Sequence, residues 1–277
     1  MKVLPLIGSL LLSLLLMPAC NVEDRELLTD TVIVSGYLYA GLPLDSLRIT
    51  VANSYSGNTD SLQTLNELVV ELATEGESWV LEPFGAGYYR QIEGIVEEGK
   101  TYQLSFTHQG ERITASTFVP VSKSIEVSVD EIFMEQITGG FGGGLGGTIP
   151  DPIEVSWENE GGEYFFVLVE NQESEPDYIN LLLADRLAAE GIDLTSFRAL
   201  SEPEITDLYT IDTRRSIQQY GTYRVIVYHV NPAYAALYQS SSNTSLSLVT
   251  PPSNIEGGLG IFTGVSGDTA FFDVRQL

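Results

Sequence analysis

In Tyr102-Gln103-Leu104-Ser105-Phe106 apolar and polar side chains alternate. An extended segment with that pattern has one apolar and one polar face, which is the signature of a half-buried β-strand. Comparable β-rich runs occupy residues 31–39, 47–54, 68–73, 78–82, 101–108 and 112–119. Clusters of Gly, Pro, Asn and Asp separate them at intervals of about ten residues, the rhythm of a β-sandwich. His108-Gln109-Gly110-Glu111 supplies the turn of a hairpin, and Pro120 closes the series.

A second series follows, with strands expected at 124–133, 153–157, 164–170 and 222–230 and a short apolar strand at 259–262. Between the first two lies the Gly-rich stretch 139–147. It contains G-x-G-x-x-G at Gly142, Gly144 and Gly147, but a dinucleotide fingerprint must open a helix, and Pro150-Asp151-Pro152 follows instead. Two helical insertions are expected. One has Ser174 and Asp177 as capping residues, an apolar face of Ile179, Leu182, Leu183 and Leu187 that packs on a sheet, and Gly191 as its stop. The other opens at Asn231-Pro232 and sets Tyr234, Leu237 and Tyr238 on one side. The pattern therefore predicts an all-β chain of two tandem sandwiches with short helical insertions, the first over 28–120 and the second over 121–277.

The N-terminus reads differently. Lys2 precedes an almost unbroken apolar run from Val3 to Met17, and Met17-Pro18-Ala19-Cys20 ends it. The run is shorter than the roughly 20 residues that cross a bilayer, so 1–19 is expected to be a secretory signal. Cys20 is the only cysteine and has no intramolecular disulfide partner. The segment resembles a bacterial lipobox, which implies acylation of Cys20, with 20–27 as an acidic tether.

Composition narrows the partners. The 13 Lys and Arg against 38 Asp and Glu leave a net charge of −25, so phosphate backbones are repelled and nucleic acid is excluded as a partner. Yet 43% of residues are hydrophobic, too many for a disordered acidic tail.

Chemistry-bearing residues are sparse. His108 and His229 are the only histidines, and neither H-E-x-x-H nor G-x-S-x-G occurs, so a non-catalytic protein without cofactor or metal is expected. Acidic clusters around Glu158, Glu160 and Glu163, and around Glu170, Glu173, Glu175 and Asp177, have oxygens enough for calcium but not the EF-hand spacing. They read as solvated loops. Trp79, Tyr88 and Tyr89 are candidate ligand-binding residues that can stack on sugars, with plain sheet packing as the other reading. Trp157, alternating with Ile153 and Val155, reads as core. Four segments with Asp before a hydroxyl, at Thr31, Ser46, Ser61 and Thr269, resemble the acceptor motif for O-glycosylation of exported Bacteroidetes proteins.

Three stretches carry a family likeness: Val34-Ser35-Gly36-Tyr37-Leu38 with Gly99-Lys100-Thr101-Tyr102-Gln103-Leu104; Thr114-Ala115-Ser116-Thr117-Phe118-Val119-Pro120; and Pro252-Ser253-Asn254-Ile255-Glu256-Gly257-Gly258-Leu259-Gly260-Ile261-Phe262. They resemble a Bacteroidetes outer-membrane lipoprotein family catalogued as domain of unknown function 4249. The resemblance implies a transthyretin-like or immunoglobulin-like first sandwich and a fibronectin type III-like second one. It also implies a lipid-anchored, surface-facing outer-membrane protein that serves a TonB-dependent transporter as a binding or scaffold accessory. A stand-alone glycan-binding lipoprotein and a structural or adhesive subunit of a surface assembly are the alternatives.

Overall fold

A computed structural model describes residues 31–52, 63–138, 150–192, 197–242 and 252–277. With 54% of the chain in strands and 10% in helices, the protein is all-β. The first half carries β1 (Thr31–Tyr39), β2 (Leu44–Ala52), β3 (Gln63–Thr64), β4 (Glu71–Thr74), β5 (Glu77–Val80), β6 (Glu82–Gly85), β7 (Tyr88–Gln91), β8 (Thr101–His108) and β9 (Glu111–Phe118). Next come β10 (Ile125–Val127), β11 (Glu131–Met134), β12 (Ile153–Trp157) and β13 (Tyr164–Asn171). Helix α1 (Leu181–Ala189), β14 (Arg198–Leu200), β15 (Leu208–Ile211), α2 (Thr213–Ser216), β16 (Gly221–Val230), α3 (Pro232–Ser242), β17 (Ile255–Glu256) and β18 (Leu259–Gln276) complete the chain.

One long sheet runs through both halves in the order β14-β13-β16-β18-β1-β2-β7-β6, with β11 also on β18 and β3 on β2. A five-stranded sheet, β17-β9-β8-β4-β5, covers one face of its first half, and a three-stranded sheet, β10-β12-β15, covers the second. Each pair of layers encloses a core. Leu38, Leu47, Ile49, Tyr89, Tyr102, Leu104 and Phe262 belong to the first core; Ile153, Trp157, Phe165, Tyr223 and Phe272 belong to the second. Burying a large apolar side chain stabilises by roughly 1.5–3 kcal/mol, so the two clusters are the main favourable term.

The 18-residue strand β18 joins the cores. Its first part pairs in parallel with β1, from Leu259 beside Ile33 to Val265 beside Tyr39. Its second part pairs antiparallel with β16, from Val265 beside Val230 to Val274 beside Gly221. The stretch Pro252 to Phe262 shows how the strand is admitted. Asn254 Nδ2 donates to the Phe262 carbonyl at 2.7 Å, and the Phe262 N–H donates to Asn254 Oδ1 at 2.9 Å, so one side-chain amide copies a strand partner. Gly260 has φ +112° and lies against Val34, where a Cβ would overlap the Val34 carbonyl oxygen. At Gly264 a Cβ would come within 2.5 Å of the Phe118 carbonyl oxygen and 2.7 Å of Val119 Cα. Both positions require the smallest residue.

Two side chains lock the halves at this crossing. Asn231 Nδ2 reaches the Phe118 carbonyl at 2.8 Å and Thr117 Oγ1 at 3.1 Å. His229, buried and stacked on Phe165 at 4.6 Å between ring centroids, donates from Nδ1 to the Val121 carbonyl at 2.8 Å.

The structure departs from the sequence pattern most in four places. Residues 124–133 form two short strands in different sheets, β10 with β12 and β11 with β18. The short strand expected at 259–262 runs on to Gln276. Residues 255–265, placed by sequence with the second half, pair with β9 and β1 of the first. Helix α1 starts at Leu181, capped by Asn180, and buries none of its residues. Tyr178 and Asn180 form β-bridges to Gln219 and Ile137, which keeps the preceding turn extended and leaves Ile179 alone in the core.

Gly260→Ala is expected to destabilise the protein by roughly 3 kcal/mol or more, through overlap with Val34 and an unfavourable φ. Gly41→Ala, also at positive φ but with open space around it, is expected to cost about 1 kcal/mol. Urea denaturation of the two variants measures the contrast, and equal losses would contradict the close approach.

Candidate binding surface

The sequence-predicted residues fall in different environments. Tyr89 is fully buried; its hydroxyl donates to the Leu65 carbonyl and accepts from the Leu68 N–H, both at 3.0 Å. This corrects the ligand-binding expectation for Tyr89: Tyr88 and Tyr89 are strand neighbours, so their side chains point to opposite faces, and Tyr89 takes the core side. Tyr88 is half-buried on the outer face beneath the Arg48 guanidinium, 5.3 Å from its ring centroid. Trp79 shares the inner side of its hairpin with Leu72, packs at the rim of the first core and is backed by Gly94. Structure therefore does not bring the three rings to one surface.

Of the glycosylation candidates, Thr269 is exposed in mid-strand, Thr31 is half-buried at the start of β1, and Ser46 is half-buried with its hydroxyl on the Tyr37 carbonyl at 3.2 Å. Ser61 and Cys20 lie outside the described residues. Three of the clustered acids have cationic or backbone partners. Glu163 is 3.4 Å from Lys123 Nζ and 3.7 Å from His229 Nε2; Glu170 is taken by Arg224 and Arg198; Glu173 accepts from the Thr222 N–H at 3.2 Å. Among the described residues, no group of three or more His, Cys, Asp or Glu side chains is placed to hold a metal ion.

Two surfaces stand out. The outer face of the five-stranded sheet is a shallow concavity of about 700 Å³. Small polar side chains such as Ser78, Gln103, Ser105, Thr114 and Ser116 line it, and Thr114 Oγ1 donates to Glu256 at 2.8 Å across the β9–β17 edge.

The outer face of the ten-stranded sheet is chemically richer. Arg198, Glu170, Arg224 and Phe271 stand side by side on β14, β13, β16 and β18. The Glu170 carboxylate accepts from Arg224 Nε at 2.7 Å, with Arg198 Nε 3.8 Å away. Two guanidinium groups thus share one carboxylate. Towards β1 the face turns aromatic: Phe166 stacks on Tyr228 at 4.7 Å and on Tyr234 of α3 at 5.7 Å, while Tyr39 meets Tyr228 edge-on at 6.4 Å and Tyr37 meets Tyr234 at 6.3 Å. Beyond them come Arg48 over Tyr88 and, at 4.7 Å, Arg90 over Phe84. These side chains are spread over eight strands and α3, and the strand order brings them together. No linear motif marks the face; the signal in the sequence was tyrosine and arginine at outward positions of strands whose order was unknown.

The matched family spans nearly all of this architecture, since the one described as Domain of unknown function (DUF4249) covers residues 21–270. The chain belongs to the DUF4249 family. No curated protein matches this DUF4249 chain. It is similar to a solved structure titled "Anomalous substructure of Titin-A168169", at 10% identity over 90% of this chain and 96% of that one, with a TM-score of 0.22; so low a score carries no argument.

Burial pushes the Tyr234 hydroxyl up to about 12, with Tyr37, Tyr39 and Tyr238 adding to the shift. Burial likewise raises Tyr39, helped by Tyr228 and Tyr37, and raises Tyr228. These phenols therefore stay protonated donors well above neutral pH. A phenol with a raised folded-state pKa contributes stability that is intact below pH 10 and is lost as pH rises towards 12. Alkaline difference absorbance is expected to show a late phenolate step near pH 12 that Tyr234→Phe removes, with stability falling over the same window.

Proposed function

We propose that this DUF4249 protein is a non-catalytic binding or scaffold subunit, lipid-anchored through Cys20 at the outer-membrane surface and working beside a TonB-dependent transporter. The observation that carries the reading is β18, shared by both halves through one ladder with β1 and another with β16. A shared central strand couples two sandwiches into one body and suits a rigid platform that presents surfaces, more than a pair of domains that closes on a substrate. The platform offers two faces, the concave five-stranded sheet and the arginine-aromatic long sheet, so it can hold a ligand on one and a partner on the other. The membrane, acyl and transporter parts rest on the lipobox and family resemblance of the sequence.

A crosslinked pull-down of the tagged protein from native outer membranes tests this. A TonB-dependent transporter is expected with the wild-type chain and is expected to be lost with Cys20→Ala. Recovery of no membrane partner by the wild-type protein would sink the reading.

A further inference from the structure

We propose that β18 is a folding lock: neither sandwich completes until this strand, which follows all of its partners in the chain, has inserted between them. The long sheet runs β14-β13-β16-β18-β1-β2-β7-β6. Without β18 it falls into two pieces, one ending on β16 and the other on β1. A further partner, β11, pairs with no other strand. Synthesis runs from the N-terminus, so β1, β11 and β16 all emerge before the strand that joins them, whatever follows Gln276.

The first argument is what the open edges leave undone. Residues 221–230 of β16 would lack their partners at 265–274, and residues 33–39 of β1 would lack theirs at 259–265. Backbone N–H and C=O groups inside a fold need partners, and β16 carries the buried Tyr223, Val225 and Val227 along that stretch. Its core side cannot close while its edge is unpaired.

The second argument is the cores themselves. Phe272 stacks on Tyr223 at 5.3 Å between ring centroids, and Val274 and Ile132 of β11 share the second core with it. In the first core Phe262 is fully buried against β1 and β2: a Cβ on Gly36 would come within 2.9 Å of Phe262 Cδ2 and 2.8 Å of Leu47 Cδ1. All earlier strands can be present and both cores still lack large side chains. Vacancies of that size exceed what a marginally stable fold tolerates.

The third argument is distance along the chain. Leu259 pairs in parallel with Ile33, 226 positions before it. Closing so long a loop costs entropy before any contact rewards it, so parallel pairing of this kind is slow. The β8–β9 hairpin, by contrast, pairs His108 with Glu111. Insertion of β18 is therefore the late step on which both halves wait. For a chain that carries the secretory signal expected at 1–19, the lock keeps the preceding residues unfolded until β18 is free.

The test refolds the full chain from urea and labels its amides by pulsed hydrogen exchange. Stable protection of β8 in the first half and β13 in the second is expected in one phase, at the rate at which β18 is protected. Protection of β8 or β13 ahead of β18 would overturn the proposal. The two tryptophans give a second reading, since Trp79 packs on the first core and Trp157 lies in the second. In Trp157→Phe and Trp79→Phe chains the remaining indole is expected to recover at the same rate. Gly260→Ala, whose clash is with Val34 of the first half, is expected to slow recovery of Trp157 about tenfold. Ile153→Val, in a strand that does not pair with β18, is expected to speed unfolding and leave refolding within about twofold. Proline isomerisation also gives slow phases, but Gly260→Ala does not alter it, so the change in rate identifies β18 insertion. Unequal rates at the two indoles, or a Trp157 rate that Gly260→Ala leaves unchanged, would overturn the lock. The labelling experiment needs no variant, so it decides even where Gly260→Ala does not refold. No membrane partner takes part, so failure here leaves the transporter reading standing and the reverse holds too.

Discussion

The backbone ladder of β18 is the interaction on which the rest depends. One edge of the strand pairs with β1 and β11, and the other pairs with β16. A strand that belongs to two sandwiches cannot detach from one without withdrawing Phe262 from the first core or Phe272 and Val274 from the second. The ladder also imposes a steric rule, because β9 and β1 come too near for side chains at Gly260 and Gly264. The stretch from Pro252 to Gly264 is therefore explained by packing: Asn254 imitates a strand partner, and Gly260 and Gly264 let the real strand in.

The ladder also sets cooperativity. Separate domains on a linker unfold separately, whereas domains sharing hydrogen bonds and buried contacts lose them together. Here Asn231 and His229 add bonds from the second half to the Phe118 and Val121 carbonyls. The linker after Pro120 is thereby pinned to the second half by a buried imidazole.

Most individual strands were legible because their alternation is local: β1, β8 and β12 coincide with their sequence-predicted limits. The continuation of β18 was not, because Gly264, Gly267 and Asp268 carry turn chemistry and the demand for small residues there comes from β9 and β16, distant in sequence. Alternation also cannot say which side of a strand is inside. Tyr88 and Tyr89 were equal candidates, and the register with Arg48 and Leu47 decides between them. Long-range order hides the candidate face entirely: Arg198, Arg224 and Tyr39 are unremarkable one by one, and their place on one face depends on β14, β13, β16, β18 and β1 being consecutive in the sheet.

That dependence ties surface chemistry to the fold. Tyr39 ends β1 in the first half and Tyr228 lies near the end of β16 in the second, yet their rings meet at 6.4 Å because β18 alone separates their strands. Tyr37 and Tyr234 repeat the contact one step away, with α3 folding back from the end of β16 over the same face. The aromatic cluster therefore exists only while both halves hold the same strand. The joining of the cores and the meeting of these rings are consequences of a single strand that is long enough to serve both halves.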